Sequence, residues 1–343
     1  MKSAYIVLTH NKPEQLFRLI SRLDDEGVTF VIHVCVNATR EDYRRIKEEY
    51  KTAQGVHFCK RENGAWSEFG IVQAVLNGME LLMEKRVDFD YVHVISGSDY
   101  PIKSNKFIRD FFEKHKGKQF LWCLPVHDEQ QVDLPAGSIH GEDWKSGEHP
   151  WPQLNRYIRF EKYWFTVWGE RLMVPEIRFI DKPLWNVLKI FLHDSPELWR
   201  KGKWKRELLL LLLSVTHRAK RSYPEGFSPY AGSQWFSVTK DCCAYILKTH
   251  REKPELKKYF KRTLLPDESY FTTILAHSPF KESIAQSNMR FIRWEGEDRS
   301  HPEVLTKADF PALQKSEKLF ARKFDADKDA EILNLLDSEI LKG

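Results

Sequence analysis

Short apolar runs alternate with helical patterns along the first 125 residues of the chain. The apolar runs are rich in β-branched and aromatic residues, as strands are, and they cover 4–8, 29–36, 56–59, 91–96 and 120–123. Between them, apolar residues recur every three or four positions and predict helices at 13–23, 40–50, 68–85 and 106–115. This alternation predicts an α/β fold with a Rossmann-like, mostly parallel central sheet and helices on both faces.

Hydroxyl side chains precede three of these helices, at Thr39, Ser67 and Ser104. An oxygen at that position can accept a hydrogen bond from a free amide of the first helical turn. We therefore predict that each of the three residues caps its helix.

The carboxyl ends of the predicted strands are where an open parallel sheet binds its ligand. The polar residues that follow those strands are Thr9, His10, Asn11, Asn37 and Asp99. Asp99 comes shortly after Gly97, which allows a ligand to approach the backbone closely. The Asp99 carboxylate is a candidate to bind a sugar hydroxyl, and the alternative is a polar filler of a tight turn.

The pattern becomes irregular between 126 and 230. A polar segment at 127–152 leads into an aromatic and basic stretch at 157–165, and a second basic stretch at 199–221 contains the six leucines 208–213. The leucine segment is too short to span a bilayer. It predicts either a buried helix with solvated ends or a basic, Trp-bearing element that lies on a membrane surface.

Strand and helix patterns return after 231. A strand is predicted at 233–238, and helices are predicted at 241–249, 254–261, 268–276 and 330–340. No repeat or low-complexity linker separates the two outer parts of the chain. We therefore predict one domain in three segments: a first half at 1–125, a variable insertion at 126–230 and a second half at 231–343.

Composition and charge exclude several classes of protein. The chain has 343 residues, of which 42% are hydrophobic and 13% aromatic, and 54 Lys and Arg against 49 Asp and Glu give a net charge of +5. This composition excludes a disordered chain, a collagen-like chain and a disulfide-stapled miniprotein. The five cysteines have no C-x-x-C spacing, and the first residues form a strand pattern rather than a signal peptide. We therefore expect free thiols in a reducing cytoplasm.

Three short motifs carry charged residues that could do chemistry. Asp88 and Asp90 form a D-x-D, but they precede a strand and so point to the edge opposite the ligand, which indicates a solvated turn. Asp267 and Glu268 follow a proline at the start of a predicted helix. The helix dipole alone favours acidic side chains at this position, and Asp267 is the expected cap. Segment 319–325 places two cations between aromatic residues, a pattern also typical of an amphipathic surface.

Several motifs taken together resemble glycosyltransferase family 14. In the first part of the chain they are LTHNKPEQL, FVIHV, AWSEFGIVQA and ISGSDYPIKS, and in the second part GSQWFSVT, LPDESYFTTIL, RFIRW and KLFARKFD. The family includes the core 2 and I-branching β-1,6-N-acetylglucosaminyltransferases and the protein xylosyltransferases. The resemblance covers roughly 3–125 and 231–340, and the segment 126–230 has no match.

The resemblance implies a GT-A type fold with a mixed C-terminal half, a nucleotide-sugar donor and inversion at the anomeric carbon. In the acetylglucosaminyltransferase branch, catalysis does not need a metal. The resemblance makes 1–125 the nucleotide-sugar-binding half and 231–343 the catalytic and acceptor half, with 126–230 expected to contact the acceptor. No cofactor is implied, because the UDP-sugar is a co-substrate.

Individual roles are carried over from the family motifs. Glu268 matches the catalytic base, and Lys323 matches a cation on the donor diphosphate. The position of the second family cation falls on Ser300, so the neighbouring Arg299 is the candidate, with Arg293 as the alternative. The other donor-binding residues are Thr9, His10, Asn37 and Asp99. The acceptor-binding residues are Trp235, Asp267 and Trp294. Cys35 stands where the family commonly has an acid near the nucleoside, so Asn37 is the candidate to supply that hydrogen bond.

These roles agree with the chemistry of an inverting transfer. One carboxylate within hydrogen-bond reach suffices to take the proton from the attacking hydroxyl. Preorganised cations stabilise the charge that develops on the leaving diphosphate. An oxocarbenium-like sugar is favoured by carboxylate and aromatic neighbours.

We therefore expect transfer of N-acetylglucosamine or xylose from a UDP-sugar to a hydroxyl of a glycan or lipid-linked glycan, with no nucleic-acid partner. A family member without an anchor resembles a bacterial enzyme that builds surface polysaccharide, with 199–221 contacting the inner face of the plasma membrane. The alternatives are a non-catalytic glycan-binding relative, and a basic nucleic-acid or membrane-surface binder built on 199–221.

Overall fold

The computed structural model of the chain describes residues 1–126, 157–167, 170–174, 189, 204–216, 221–294 and 302–341. The strands in this part of the chain are β1 Ser3–Thr9, β2 Val28–Val34, β3 Val56–Phe58, β4 Tyr91–Ser96, β5 Asp99–Pro101, β6 Leu124–Pro125, β7 Tyr163–Val167, β8 Glu170–Val174, β9 Tyr230–Ala231, β10 Ser237–Thr239, β11 Arg290–Ile292 and β12 Phe320–Arg322. The helices are α1 Pro13–Leu23, α2 Arg40–Glu49, α3 Phe69–Glu84, α4 Asn105–Lys114, α5 Trp204–Thr216, α6 Lys240–Glu252, α7 Pro254–Phe260, α8 Tyr270–Ala276, α9 Phe310–Lys315 and α10 Glu331–Leu335.

The central sheet has the strand order β10-β4-β1-β2-β3. Strands β1 to β4 are parallel to one another, and β10 joins the edge of the sheet antiparallel to β4. A smaller mixed sheet of β11, β12 and β5 lies in the C-terminal half, with β12 parallel to β11 and antiparallel to β5. The predicted α/β class, with a mostly parallel central sheet and a mixed C-terminal half, is confirmed.

Alternate residues of the central strands pack on opposite faces of the sheet. In β1, Ala4 and Ile6 belong to a core that also contains residues of α3, α6 and α8, whereas Tyr5 and Val7 belong to a core with residues of α1, α4 and α10. This period of two is the side-chain period of a strand. Helices therefore cover both faces, as the alternating sequence pattern predicted.

Two of the three predicted helix caps are confirmed. The Thr39 hydroxyl accepts from the amide of Asp42, and the Ser104 hydroxyl accepts from the amide of Phe107. The prediction for Ser67 is wrong, because this residue has φ +65° and lies outside the helix. Its hydroxyl accepts instead from the amide of Leu265, at 3.0 Å.

The run at 120–123, which was predicted as a strand, forms only an isolated bridge between Phe120 and Ser237. Its residues are buried all the same, so the apolar pattern reports burial here rather than a strand ladder. The strand begins after the run, at β6, which pairs with β9.

The leucine segment lies in α5 and faces two environments. Leu210 and Leu211 are buried, and Leu210 packs with Leu172 and Val174 of β8. Leu208 and Leu212 are 40% and 56% exposed. Within the described residues, no helix combines the length and the hydropathy needed to cross a membrane. Residues 199–203 and 217–220 lie outside the described part, so membrane contact through 199–221 stays a prediction.

Candidate active site

The floor of the site is the packed carboxyl edge of β1 and β4. Thr9 is buried, and its carbonyl accepts from the amide of Cys35 at 2.8 Å. The amide of Gly97 donates to the carbonyl of Leu8 at 3.0 Å, and a Cβ on Gly97 would lie 3.1 Å from Oγ1 of Thr9. The absence of a side chain at Gly97 therefore allows the ends of β1 and β4 to pack closely, and Thr9 is buried in this contact.

An amide pair lies beyond the end of β2, in the region assigned to the nucleoside. Nδ2 of the exposed Asn37 donates to Oδ1 of Asn63 at 3.0 Å. The Sγ atom of Cys35 accepts a hydrogen bond from the backbone amide of Gly64 at 3.2 Å. Asn37 and Asn63 thus present the polar groups of this loop, and Asn63 was not predicted from the sequence.

His10 and Lys323 come from distant parts of the sequence and lie near each other. The pKa of His10 is lowered, first by burial of part of the ring and second by the positive charge of Lys323. Lys12, in the same turn as His10, pairs instead with Asp325 and with Asp327, the latter at 3.0 Å. Within the described residues, the Lys323 ammonium has neither a hydrogen bond nor an ion pair, so it is available to a diphosphate.

Buried Gln15 holds the Lys323 segment against the carboxyl edge. Its side-chain amide donates to the carbonyl of Gly97 at 2.9 Å and to the carbonyl of Phe324 at 3.1 Å. Its Oε1 accepts from the amide of Ala326 at 2.9 Å. One glutamine of α1 therefore links the end of β4 to the chain that follows β12.

Arg322 connects three elements of the site. Asp99 and Arg322 are directly opposite in the β5–β12 ladder, and Nε of Arg322 lies 3.5 Å from Oδ1 of Asp99. The Arg322 guanidinium lies 4.2 Å from the ring centre of Trp235. The negative charge of Glu268 also acts on Arg322, although burial lowers the pKa of Arg322.

The structure does not place Asp99 where a sugar hydroxyl could reach it. The side chain is fully buried, and its carboxylate accepts from the amide and the hydroxyl of Ser96 at 2.9 and 3.2 Å. The predicted contact with the donor is therefore corrected. Asp99 holds Arg322, and through Arg322 it acts on the site.

Glu268 lies in a 3-10 turn, Pro266–Glu268, that precedes α8. Leu265 begins the turn with φ +48°, and its amide is held by Ser67. Nη2 of the fully buried Arg159 lies 3.3 Å from Oε2 of Glu268 and donates to the carbonyl of Leu265 at 2.7 Å. Arg159 therefore fixes both the start of the turn and its carboxylate.

The surroundings of Glu268 change its acidity. Although 29% of the side chain is exposed, burial raises the pKa of Glu268 above the ordinary 4.5. The charges of Arg159 and Arg322 oppose this shift, and the neighbouring Asp267 adds to it. The result is a carboxylate more basic than an exposed glutamate, which is the property that a general base needs.

Asp267 does not cap the following helix. The helix begins at Tyr270 after Ser269, and no side chain makes a cap hydrogen bond there. Asp267 is buried, and burial raises its pKa. The predicted cap is therefore wrong, because the acids belong to the 3-10 turn and not to the first turn of α8.

The predicted second diphosphate cation is not found among the described residues. Arg299 lies outside them. The alternative, Arg293, pairs with the buried carboxylate of Asp309. Trp294 is half-buried two residues after the end of β11, at the end of the described segment 221–294.

Arg159 and Arg322 are functional candidates that the sequence interpretation missed. Arg322 stands next to Lys323 in the ARKFD motif, and Arg159 lies in the aromatic and basic stretch at 157–165. The sequence analysis noted both the ARKFD motif and the stretch at 157–165, but neither pattern showed which arginine would contact Glu268. Across the part of the chain that the structure describes, no three His, Cys, Asp or Glu side chains lie close enough to hold a metal ion.

The chain is similar to known proteins along most of its length. The sequence profile described as Core-2/I-Branching enzyme matches residues 3–130 and 184–314, which is more than half of the chain. Xylosyltransferase 2 of Rattus norvegicus is 25% identical over 358 residues, covering 98% of this chain and 33% of that protein. Xylosyltransferase 1 of Rattus norvegicus is 23% identical over 359 residues, covering 98% and 35%. The chain spans about a third of the length of the curated relatives it matches.

Solved structures resemble the chain only distantly. The mannosyltransferase Ktr4p from S. cerevisiae aligns with a TM-score of 0.32 and 12% identity, over 82% of this chain and 67% of that one. TarS of S. aureus aligns with a TM-score of 0.27 and 16% identity, over 41% and 24%. Similarity at this level carries no information about the reaction.

Proposed function

The chain belongs to the Core-2/I-branching enzyme family and has an α/β fold, and from this premise we propose that it is an inverting, UDP-sugar-dependent glycosyltransferase of the GT-A type. The acceptor is a hydroxyl of a glycan or of a lipid-linked glycan. The relatives named xylosyltransferase support xylose as the donor sugar, and the family's branching enzymes support N-acetylglucosamine.

The environment of Glu268 carries the proposal. The carboxylate lies beside Arg159 and is acted on by the charge of Arg322, and burial raises its pKa. In the proposed reaction it accepts the proton of the attacking acceptor hydroxyl while that oxygen forms the new bond to the anomeric carbon. A base with a pKa near the working pH combines an available lone pair with a sufficient driving force for proton transfer.

Lys323 is the proposed ligand of the diphosphate that leaves. As the bond from the anomeric carbon to the phosphate oxygen breaks, negative charge grows on the diphosphate. A cation already in place stabilises that charge without having to reorganise. The pKa of His10 is lowered first by burial and second by the charge of Lys323, so its imidazole is neutral near pH 7 and can donate or accept a hydrogen bond beside Lys323.

Trp235 forms the proposed wall beside the transferred sugar. Arg322 stacks on its ring, and Asp99 holds Arg322 in the β5–β12 ladder. Both members of the stacked pair are largely buried, with Trp235 7% and the Arg322 side chain 14% exposed, and the charge of Glu268 acts on Arg322. We propose that Trp235 packs against the sugar, while Asn37 and Asn63 contact the nucleoside.

The test is Glu268→Gln, which keeps the shape of the side chain and removes its basicity. We expect UDP affinity and the unfolding temperature to stay at wild-type values, while kcat falls by about two to four orders of magnitude. UDP release from UDP-xylose and UDP-N-acetylglucosamine, with and without acceptor, measures the rate.

A matched control is Glu282→Gln, at a surface turn outside the site. This variant should retain the wild-type kcat. Near-normal turnover of Glu268→Gln would remove Glu268 from the role of base. Binding of glycans without any UDP release by the wild-type protein would support the non-catalytic alternative.

A further inference from the structure

A cleft that is separate from the site residues described above lies beside the Glu268 turn. It has a volume of about 760 Å³ and is bordered by β7, β8, α7 and the start of α3. Its wall continues from α7 through Arg262, three residues before Leu265, where the Glu268 turn begins. The proposed mechanism makes no use of this cleft.

The cleft has an excess of positive charge. Five of its lining residues are Lys or Arg, and two are Glu. Lys258, Lys261 and Arg262 are exposed at its rim, and none of the three has an ion pair within the described chain. Of the acids, Glu68 accepts hydrogen bonds from Thr166 and Asn63. A cleft lined by one sign of charge concentrates ligands of the opposite sign.

Fixed arginines support this charge from beneath. Arg221 is buried between the rings of Tyr259 and Tyr163, 4.0 and 5.1 Å from their centres, and donates to the carbonyl of Tyr259. Nη2 of Arg171 donates to the carbonyl of Thr263 at 2.8 Å. These guanidiniums are held by the protein, which leaves the rim cations for a ligand.

Aromatic side chains lie among the cations. Arg262 stacks on Phe165 at 4.2 Å, and Tyr163 is parallel to Phe165 at 6.4 Å. Trp66 is 59% exposed, two residues before Glu68 in the cleft wall. Because Ser67 accepts from the amide of Leu265, Trp66 is held at the side of the cleft that leads to the Glu268 turn.

We propose that this cleft is an acceptor subsite for an anionic glycan, one whose sugar rings carry carboxylates. Aromatic faces pack against sugar rings, and the lysine and arginine groups form charge-assisted hydrogen bonds with the carboxylates. Trp66 packs against the sugar nearest to Glu268, and the cations hold the sugars behind it. This inference rests on the proposed glycosyltransferase function, because it gives the second substrate of that reaction a place and a charge.

The experiment measures binding of a hexasaccharide of alternating glucuronate and N-acetylglucosamine by calorimetry at low salt. The same hexasaccharide with its carboxyl groups reduced to alcohols is the neutral probe. We expect Lys258→Gln with Lys261→Gln to weaken binding of the charged probe about tenfold, because two exposed ion pairs are lost. The neutral probe should bind the variant and the wild type equally. Trp66→Ala should weaken both probes.

The matched control is Lys114→Gln with Lys116→Gln, which removes two exposed charges at the end of α4. This variant should bind both probes like the wild type. Equal affinity of the wild type for the two probes would overturn the proposal. Tighter binding of an oligoglutamate peptide or of a single-stranded RNA would also overturn it, in favour of a different partner.

UDP binding is measured in the same samples and separates the two proposals. If UDP binds and the lysine variant leaves the charged probe unaffected, the subsite is wrong and the glycosyltransferase proposal stands. If UDP and the UDP-sugars fail to bind while the charged probe depends on the lysines, the cleft binds anionic glycans and the donor chemistry is wrong.

Discussion

At the scale of single residues, the basicity of Glu268 is a balance between burial and two arginines. Burial favours the neutral carboxylic acid and raises the pKa, whereas the charges of Arg159 and Arg322 favour the carboxylate and lower it. A base must be deprotonated to act. If Glu268 is the base, we expect activity to fall as the pH falls through a Glu268 pKa that lies above the ordinary glutamate value.

This balance predicts a change in the pH profile when Arg159 is replaced. In Arg159→Met, one of the influences that lower the Glu268 pKa is lost, so the acid limb of kcat/KM should move to higher pH. In Arg159→Lys the positive charge is kept, and the limb should lie closer to that of the wild type. Initial rates between pH 5 and pH 9 measure the acid limb of each variant and of the wild type.

Stability is the control for these variants, because Arg159 also donates to the carbonyl of Leu265. Losing that donor should cost about 1–3 kcal/mol of unfolding free energy in Arg159→Met. A purely structural role would lower the rate at every pH without moving the limb. An unchanged acid limb in folded Arg159→Met would therefore contradict the proposal that Arg159 sets the pKa of Glu268.

The family motifs named Glu268 and Lys323, and their roles as base and diphosphate ligand stay predictions. Arg159 was not predicted, because its contact with Glu268 joins residues 109 positions apart and depends on how the chain folds. Asp99 was given the wrong contact, because sequence patterns do not show that a carboxylate at a strand end is fully buried.

At the scale of elements, the site depends on a close approach between two backbones. Gly232 follows β9, and its amide donates to the carbonyl of Glu268 at 2.8 Å. A Cβ at this position would lie 1.8 Å from the carbonyl oxygen of Trp122 and 2.9 Å from Cγ2 of Thr272. The absence of a side chain therefore sets the distance between the β6–β9 pair and the Glu268 turn.

We predict that Gly232→Ala destabilises the protein and displaces the Glu268 turn. Overpacking of this kind costs about 1–3 kcal/mol or more, since backbone on both sides has to shift. Urea unfolding should show that loss of free energy, and kcat should fall together with it.

Gly117→Ala is the control for the flexibility of glycine itself. Gly117 has φ +88°, and nothing lies within 4 Å of a Cβ placed there. Its replacement should cost about 1–2 kcal/mol through the left-handed backbone alone and leave kcat unchanged. A wild-type kcat in Gly232→Ala would show that the close approach is not needed by the site.

Elements were predicted better than their ends. The helices at 13–23 and 40–50 were expected within a residue of where they form, because their apolar spacing and their first residues agree. Ser67 failed as a cap because a long-range hydrogen bond to Leu265 is made in its place. The run at 120–123 failed as a strand because a buried apolar segment need not pair in a ladder.

At the scale of the whole molecule, the net charge of +5 is distributed unevenly. Lys323, Arg322 and Arg159 lie around the candidate active site, and further cations line the neighbouring cleft. A donor diphosphate and an anionic acceptor would each meet positive charge near the Glu268 turn. Under the proposed mechanism, Lys323 balances the charge of the leaving group.

The last prediction is that turnover survives removal of divalent metals. If Lys323 neutralises the diphosphate, EDTA should change kcat by less than about twofold, whereas Lys323→Met should lower it by about two to three orders of magnitude, the usual cost of one preorganised transition-state contact. Lys103→Met, at a lysine that lies outside the site before α4, should retain wild-type turnover. Loss of activity in EDTA that Mn²⁺ or Mg²⁺ restores would show that a metal carries the charge, and the role of Lys323 would then be wrong.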